Sequence, residues 1–263
     1  MKLYHHVERI HNELARMDID DAAPLSVEQL TPFDQYHYLG TDAVDEAIAA
    51  LGLRPGMRVL DIGSGIGGPA RYIAAASGAH VTALELQPDL DSVGAGLTER
   101  CGLGRLVEHR CGDILGGVGQ TYDAIVSFLC FLHIADRQRL LTSCRAALEP
   151  GGAMYIEDYA KRRAPTEDEA AALQVKVQCP MLPTPGEYDA QLRAAGFLDV
   201  HVQDVTSQWT AFTAERLADF RAAQSRNVSV HGPDIVAGLD DFYATVAGLF
   251  ETGVIAGLKI LAR

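Results

Sequence analysis

Residues 59–68 read Val-Leu-Asp-Ile-Gly-Ser-Gly-Ile-Gly-Gly, and this stretch decides the fold of the chain. The apolar run over 58–62 is typical of a strand that is buried on both faces. The small residues of 69–76 predict a helix soon after it. The glycines between them allow a turn with positive φ and let the backbone approach a ligand closely. This order of elements indicates a ligand site at one edge of a doubly wound sheet.

The ligand of this turn has two interpretations. Gly63, Gly65 and Gly68 satisfy the dinucleotide pattern G-x-G-x-x-G. Asp61 lies two residues before the first glycine, where its charge would repel a pyrophosphate but attract a ligand that carries an ammonium and a sulfonium. Glu85 ends the predicted second strand and can accept ribose hydroxyls, which both kinds of cofactor possess. Asp61 therefore favours S-adenosylmethionine over a dinucleotide.

Five motifs follow one another in a characteristic order along the core of the chain, namely Val59–Gly68, Ala83–Leu86, Cys111–Ile114, Tyr122–Ser127 and Leu148–Asp158. With them the chain resembles the class I S-adenosylmethionine-dependent methyltransferases. It is most similar to their small-molecule members, the phosphoethanolamine and the sarcosine/dimethylglycine N-methyltransferases. The resemblance implies an α/β fold with a doubly wound, Rossmann-like sheet of seven strands, mostly parallel with an antiparallel last strand. It also implies S-adenosyl-L-methionine as cofactor and S-adenosyl-L-homocysteine as product.

The turn and the resemblance together assign a set of cofactor-binding residues. In the resembled family an acidic residue after the third strand accepts a hydrogen bond from the adenine amino group, and the next residue contacts the ring; Asp113 and Ile114 match these positions. Asp113 can instead cap a turn before the glycine-rich loop 116–119. The predicted cofactor-binding residues are Asp61, Gly63, Ser64, Gly65, Gly67, Glu85, Leu86, Asp113, Ile114, Ser127 and Phe128.

Composition excludes several classes of function. The 263 residues carry a formal net charge of −13, which disfavours a nucleic-acid partner because phosphates require basic surface. No apolar run is long enough for a membrane span or a signal core, so we expect no membrane association. Five cysteines without metal-ligand spacing predict no metal site and a reducing, cytoplasmic location. The oligomeric state is not predicted.

The chain divides into three segments. We expect an N-terminal helical lid over 1–40 and an S-adenosylmethionine-binding core over 41–160. Residues 161–263 are expected to add a lid helix, the last two strands and a helical cap insertion to the same domain. Leu3, Val7, Ile10, Leu14 and Met17 have helical spacing in the lid. A capping box is possible at Ser26, and Thr41 is predicted to cap the first core helix.

The cap is predicted to be inserted between the last two strands of the sheet. Strands are predicted over 153–158, 197–206 and 254–262, with 149–152 as a break before the first of them. Helices over 214–224 and 233–252 would form the cap between the last two strands.

Candidate chemistry lies at the carboxyl ends of the fourth and fifth strands. His133 is the predicted catalytic base, because imidazole titrates near neutral pH, with a structural role at a helix start as the alternative. Tyr159 matches a substrate-contacting tyrosine of the phosphoethanolamine enzymes and is the second candidate, with plain packing as the alternative. Tyr36, His37 and Tyr38 are predicted either to wall the substrate or to form an aromatic hinge.

The resemblance fails where the phosphoethanolamine enzymes hold the phosphate of their substrate with basic and tyrosine residues. Those neighbourhoods are Gln-Cys-Pro at 178–180 and Leu-Asp-Asp at 239–241 here. Acidic and aromatic residues near the site favour a cationic or amine acceptor instead. The sequence therefore predicts methyl transfer to a small molecule, most simply at an amine nitrogen. The alternatives are an O- or C-methyltransferase of a natural-product or aromatic molecule, a dinucleotide oxidoreductase, and a non-catalytic S-adenosylmethionine binder.

Overall fold

The computed structural model describes residues 6–263, and its described part contains one seven-stranded sheet. The strand order is β3-β2-β1-β4-β5-β7-β6, in which β7 runs antiparallel to both of its neighbours and the other pairs are parallel. The strands are β1 (Arg58–Ile62), β2 (His80–Glu85), β3 (Val107–Cys111), β4 (Tyr122–Phe128), β5 (Leu148–Lys161), β6 (Val200–Asp204) and β7 (Ile255–Ala262). The predicted fold class is confirmed.

The helices cover both faces of this sheet and its carboxyl edge. They are α1 (Arg9–Arg16), α2 (Val27–Asp34), α3 (Gly40–Leu51), α4 (Gly68–Ser77), α5 (Pro88–Arg100), α6 (Arg137–Ala146), α7 (Glu167–Val175), α8 (Pro185–Ala194), α9 (Thr206–Ala222), α10 (Gln224–His231) and α11 (Pro233–Glu251). Short 3-10 helices span Ile114–Gly116 and Phe131–His133.

Two buried layers fix the helices on the sheet. On one face, Leu140 of α6 and Leu192 of α8 pack against apolar residues of β1, β4, β5 and β7. On the other face, Val44 of α3 and Ile73 of α4 pack against β1, β2 and β4. Because both faces are covered, the central strands β1, β2 and β4 are buried along nearly their whole length, as the sequence of 58–62 indicated. Ligand access is therefore confined to the strand ends.

The lid is attached to the core through a fully buried ion pair. An Nη2 atom of Arg71 donates to Oδ2 of Asp34 at 2.9 Å, and Nη1 of the same guanidinium donates to the Ile66 carbonyl at 2.7 Å. The capping box predicted at Ser26 is present at the start of α2. The amphipathic helix is confirmed for 9–16, whereas Leu3 lies outside the described residues.

Three predicted boundaries are wrong for local reasons. The first core helix starts at Gly40 without a side-chain cap, because Leu39 has a left-handed φ of 61° and already turns the chain, so Thr41 falls inside the first turn. Strand β5 starts at Leu148, and 149–152 form a bulge in it rather than a break. Helix α9 begins at 206 rather than 214, because the Asp204 carboxylate accepts the Thr206 N–H and ends β6 early. The helix α10 was not predicted.

Candidate functional site

A cavity of about 420 Å³ opens at the carboxyl ends of β1, β2 and β4, where the strand order reverses. This switch point is the usual ligand site of open α/β sheets. The glycine turn after β1 forms one wall, the lid forms a second and the segment after β4 forms a third. The cavity therefore lies at the edge that the motif order predicted.

The glycine turn is held against the strand ends by close packing. The N–H groups of Gly63 and Ser64 both donate to the Leu84 carbonyl, at 2.9 and 3.2 Å. Gly63 has a φ of 75°, and a Cβ built on it would lie 2.5 Å from the Cβ of Cys130. Only glycine suits this position, because it allows both the positive φ and the approach of Cys130.

Two carboxylates face the cavity from neighbouring strands. Glu85 accepts hydrogen bonds from the N–H of Gly65 at 2.9 Å and of Gln87 at 2.8 Å, and burial raises its pKa. Asp61 is 1% exposed; burial, with a smaller contribution from the Glu85 charge, raises its pKa to about 7. Its Oδ2 atom has no hydrogen-bond partner among the described residues. The pair forms a buried negative site that favours a cationic ligand.

Asp113 combines the two roles that the sequence left open. Its carboxylate accepts the Leu115 N–H at 2.9 Å and caps the 3-10 helix that begins at Ile114. Asp113, Ile114 and Leu86 also line the cavity, and Leu86 is exposed at its rim. A cap and a ligand contact are therefore compatible here.

The imidazole of His133 is oriented by a backbone contact. Its Nδ1 lies 3.1 Å from the carbonyl oxygen of Gln178, so the Nδ1–H tautomer donates there and Nε2 keeps its lone pair. Burial lowers the pKa of His133, which keeps the ring neutral and able to accept a proton near pH 7. His133 lines the cavity.

The loop that carries His133 is held by hydrogen bonds from its backbone to buried charged side chains. Buried Asp158 accepts the Leu132 N–H at 3.0 Å and the Tyr188 hydroxyl at 2.9 Å. Its ion-pair partner Arg137 donates to the Phe131 carbonyl at 3.0 Å. Leu129, in the same loop, has a strained φ of 53°.

The lid contributes aromatic rings to the cavity. His37 is stacked on Phe128 with ring centroids 4.7 Å apart, and burial lowers the His37 pKa to about 4. Tyr36 and His37 line the cavity, whereas Tyr38 does not. The hydroxyl of Tyr38 instead contacts that of Tyr159. Both tyrosines belong to a buried cluster with Trp209 and the cap helices.

Most predicted site residues meet in this cavity. Those that line it are Asp61, Gly63, Ser64, Gly65, Glu85, Leu86, Asp113, Ile114, Phe128, His133, Tyr36 and His37. Gly67, Ser127, Tyr38 and Tyr159 are not among its lining residues. Ser127 donates its hydroxyl to the Ile62 carbonyl at 3.1 Å, and Gly67 caps α4 with a φ of 78°. Their roles toward ligands stay predictions.

Sequence reasoning missed several lining residues. Asp34 reaches the cavity from the lid, and Cys130 and Asp136 reach it from the segment after β4. Asp34 left no local signal, because its placement depends on Arg71, 37 residues further along the chain. Cys130 could have been found, since the segment between β4 and His133 must pass over the glycine turn.

A family model described as a methyltransferase domain matches residues 35–202. The chain belongs to the methyltransferase domain family. The match begins in the lid and ends within β6, so it covers the lining residues of the cavity from Tyr36 to Asp136. The family predicted from the five motifs is thereby confirmed.

Relatives in this family include both kinds of enzyme that the sequence resembles. The phosphoethanolamine N-methyltransferase of Triticum aestivum is 30% identical over 227 residues, which are 84% of this chain and 44% of the relative. The glycine/sarcosine/dimethylglycine N-methyltransferase of Actinopolyspora halophila is 27% identical over 178 residues, 67% of this chain and 32% of the relative. The chain thus spans less than half the length of these relatives.

Solved structures of a methyltransferase and of a cyclopropane synthase share the fold. Phosphoethanolamine N-methyltransferase 2 of Haemonchus contortus, in complex with S-adenosylhomocysteine, superposes with a TM-score of 0.81 at 20% identity, over 95% of this chain and 58% of that one. A cyclopropane synthase of Mycobacterium tuberculosis gives a TM-score of 0.77 at 18% identity over the full length of both chains. At these identities the likeness establishes the fold alone.

Two classes of feature are missing from residues 6–263. No helix in this range combines the length and the apolar character needed to cross a bilayer. Within the same range, no group of three histidine, cysteine, aspartate or glutamate side chains could hold a metal ion. The cytoplasmic location stays a prediction.

Proposed function

We propose that this chain is an S-adenosylmethionine-dependent methyltransferase that transfers a methyl group to the nitrogen of a small amine. The observation that carries the proposal is the pair of carboxylates, Asp61 and Glu85, at neighbouring strand ends in one cavity. Asp61 would repel the pyrophosphate of a dinucleotide and attract the cationic end of S-adenosylmethionine, while Glu85 can accept the ribose hydroxyls. The names of the relatives, which methylate amine nitrogens, support the same choice.

The cavity fits this cofactor in chemical terms. Asp61 Oδ2 and Ser64 Oγ are buried without partners among the described residues, so polar atoms that need a ligand lie on the wall formed by the glycine turn. We assign Asp61 and the turn to the amino-acid end, Glu85 to the ribose, and Leu86, Asp113 and Ile114 to the adenine. When bound, S-adenosylmethionine supplies a methyl group on an electrophilic sulfonium.

The remaining walls of the cavity would orient the acceptor and accept a proton from it. Phe128, Leu129 and the lid ring of His37 make the interior apolar, which excludes water and favours alignment of the reacting atoms. His133 accepts a proton at Nε2 when the amine arrives as an ammonium, since its Nδ1–H is committed to Gln178. Tyr159 remains a candidate for substrate contact, because it lies next to the lid residue Tyr38.

Calorimetric titration with S-adenosylmethionine, S-adenosylhomocysteine and NAD tests the cofactor assignment. We expect the first two to bind, and Glu85→Gln to weaken both by about 10-fold or more, because a charge-assisted hydrogen bond is lost. Binding of NAD alone would contradict the proposal. Arg221→Gln, a change on the exposed face of α9, serves as the control.

A methyl-acceptor screen with His133→Gln as comparison then tests the reaction. Turnover of an amine supports the proposal, and turnover of only phenol, carboxylate or carbon acceptors replaces it with an O- or C-methyltransferase. Cofactor binding without turnover of any acceptor class identifies a non-catalytic binder.

A further inference from the structure

The glycine turn is supported from its buried side by a histidine that does not line the cavity. The ring of His109, on β3, fills the space beside two glycines. A Cβ built on Gly67 of the turn would lie 2.7 Å from its Cε1 atom, and a Cβ built on Gly94 of α5 would lie 2.6 Å from the same atom. Glycine inside a helix normally destabilises it, so the approach of this ring explains Gly94. His109 therefore acts as a spacer between the turn and α5.

Hydrogen bonds fix the tautomer of this imidazole. Nη1 of Arg71 lies 3.4 Å from the hydroxyl oxygen of Thr98, which lies 2.8 Å from Nε2 of His109. Because a guanidinium only donates, the hydroxyl oxygen accepts from Arg71 and the hydroxyl donates its own hydrogen to Nε2. Burial and the Arg71 charge lower the pKa of His109 to about 4, so the ring is neutral. Its single proton is therefore on Nδ1.

This Nδ1–H group faces a carboxylate across a gap. Nδ1 of His109 and Oδ1 of Asp91, in the first turn of α5, are both buried and have no hydrogen-bond partner among the described residues. The two atoms are 4.0 Å apart. That separation is about 1 Å longer than a hydrogen bond. A buried donor and a buried acceptor without partners cost free energy, which closing this gap would recover.

Both sides of the gap are connected to the cavity. Asp91 lies on α5, which begins three residues after Glu85, and the Asp91 charge adds to burial in raising the pKa of Glu85. On the other side, His109 packs on Gly67, which directly follows the cavity-lining Ile66. A cofactor bound to both the turn and Glu85 would therefore contact the segments that flank the gap.

We propose that His109 is a positioning residue of the cofactor site and that its Nδ1–H donates to Asp91 when S-adenosylmethionine occupies the cavity. This inference rests on the proposed methyltransferase function and assigns to the pair a contribution to cofactor affinity. A hydrogen bond that is made only in the bound state adds its free energy to binding. Because His109 does not line the cavity, its effect is confined to the cofactor and does not extend to the acceptor.

A double-mutant cycle on the affinity for S-adenosylhomocysteine tests the pairing. His109→Gln keeps a polar group near the position of Nε2 but removes the donor that faces Asp91, and Asp91→Ala removes the acceptor. Each change is expected to weaken binding by about 5- to 10-fold, through the loss of one hydrogen bond to a charged group. The double variant should bind no more weakly than the single variants, because all three lack the same hydrogen bond.

Two further variants on β3 complete this calorimetric test. His109→Asn, whose amide nitrogen lies near the position of Nδ1, should recover part of the affinity. Glu108→Gln changes an exposed side chain of the same strand and should bind like the wild type. Wild-type affinity in His109→Gln, or losses that multiply in the double variant, overturns the proposal.

Nuclear magnetic resonance of the imidazole nitrogens observes the same hydrogen bond directly. The sequence contains nine histidines, and after labelling with nitrogen-15 the His109 signal is the one that His109→Gln lacks. We expect an Nδ1–H tautomer whose proton resonance moves downfield on saturation with S-adenosylhomocysteine. A resonance that does not move, or a proton on Nε2, overturns the proposal.

Failure of this inference can be distinguished from failure of the proposed function. A wild type that does not bind S-adenosylhomocysteine would overturn both. If the wild type methylates an amine, the KM for S-adenosylmethionine should rise in His109→Gln, whereas kcat at saturation should change by less than about twofold. A fall of kcat with no change of this KM would overturn the assignment of His109 to the cofactor and leave the methyltransferase function intact.

Discussion

At the scale of single residues, the buried carboxylate of Asp61 determines the electrostatics of the cavity. Burial and the neighbouring Glu85 raise its pKa to about 7, so a large fraction is protonated at neutral pH before a ligand binds. A cationic ligand interacts favourably only with the ionised form. Binding therefore releases a proton from Asp61 in the protein molecules that carry it.

This linkage predicts the pH dependence of cofactor affinity. As the pH increases toward 7, the association constant for S-adenosylmethionine should rise by up to about tenfold per pH unit. Above pH 7 it should level off, because the Asp61 carboxylate is then already ionised. Calorimetry from about pH 5.5 to about pH 8, a range that brackets this pKa, measures the profile. Asp61→Asn should bind more weakly with a flatter profile. A wild-type affinity that falls with rising pH would contradict the assignment.

The contact between Gly63 and Cys130 gives a second prediction at this scale. Gly63→Ala combines backbone strain of about 1–3 kcal/mol with an overpacking cost of about 1–3 kcal/mol. Gly65→Ala is the matched control, since Gly65 also has a positive φ but open space around its Cα. Urea unfolding should show the larger loss for Gly63→Ala, with part of it restored by adding Cys130→Gly. Equal losses at both glycines would mean that the Cys130 contact is not tight.

At the scale of elements, one buried charge connects a strand, a helix and a loop. Asp158 lies in the buried part of β5, and its carboxylate accepts from the loop before α6, from Arg137 and from Tyr188 of α8. The loop positions Leu129, Cys130 and His133 at the cavity. The geometry of the site therefore depends on a network that has no contact with the ligand space.

Asp158→Asn should destabilise the fold by about 3–5 kcal/mol, because it leaves the buried Arg137 without its counter-charge. Asp241→Asn removes an exposed ion pair with Lys176 and should cost under about 1 kcal/mol. Urea unfolding measures both, and hydrogen exchange at the Leu132 amide reports the loop. A cost for Asp158→Asn as small as that of the control would show that the network does not hold the loop.

At the scale of the whole molecule, an acidic residue of α1 forms an ionic connection between the lid and the cap. The Glu13 carboxylate accepts from Nη1 of Arg226 at 2.6 Å and lies 3.0 Å from Nε2 of His231, both on α10. Burial alone would raise the pKa of Glu13, but the ion pair with Arg226 and the contact with His231 lower it. The lid and the cap are thereby coupled through residues that lie 213 positions apart in the sequence.

Glu13→Gln should lower the free energy of unfolding by about 1–3 kcal/mol, through the loss of charge-assisted hydrogen bonds. It should also expose the N-terminal segment to limited proteolysis ahead of global unfolding. Asp240→Asn, which breaks an exposed ion pair inside the cap, is the control and should leave the segment protected. Proteolysis of both variants at the wild-type rate would exclude Glu13 as the connection.

Local sequence patterns are sufficient to predict the sheet, its switch point and the cofactor edge. Those features follow from local chemistry, since Gly63, Asp61 and Glu85 act through backbone freedom and charge next to their own strands. For the same reason the capping box at Ser26 was predictable. The bulge in β5 was not, because it depends on how β5 pairs with β4.

The contacts between the lid, the core and the cap follow from tertiary packing. The ion pair of Asp34 with Arg71, the contact of Tyr38 with Tyr159 and the aromatic surroundings of Arg216 join residues that are far apart in sequence. No periodicity or motif encodes such pairs, because each partner's position depends on the packing of the lid and cap helices. The cofactor edge is therefore predictable from the sequence, whereas the contacts between the lid, the core and the cap are defined by the fold.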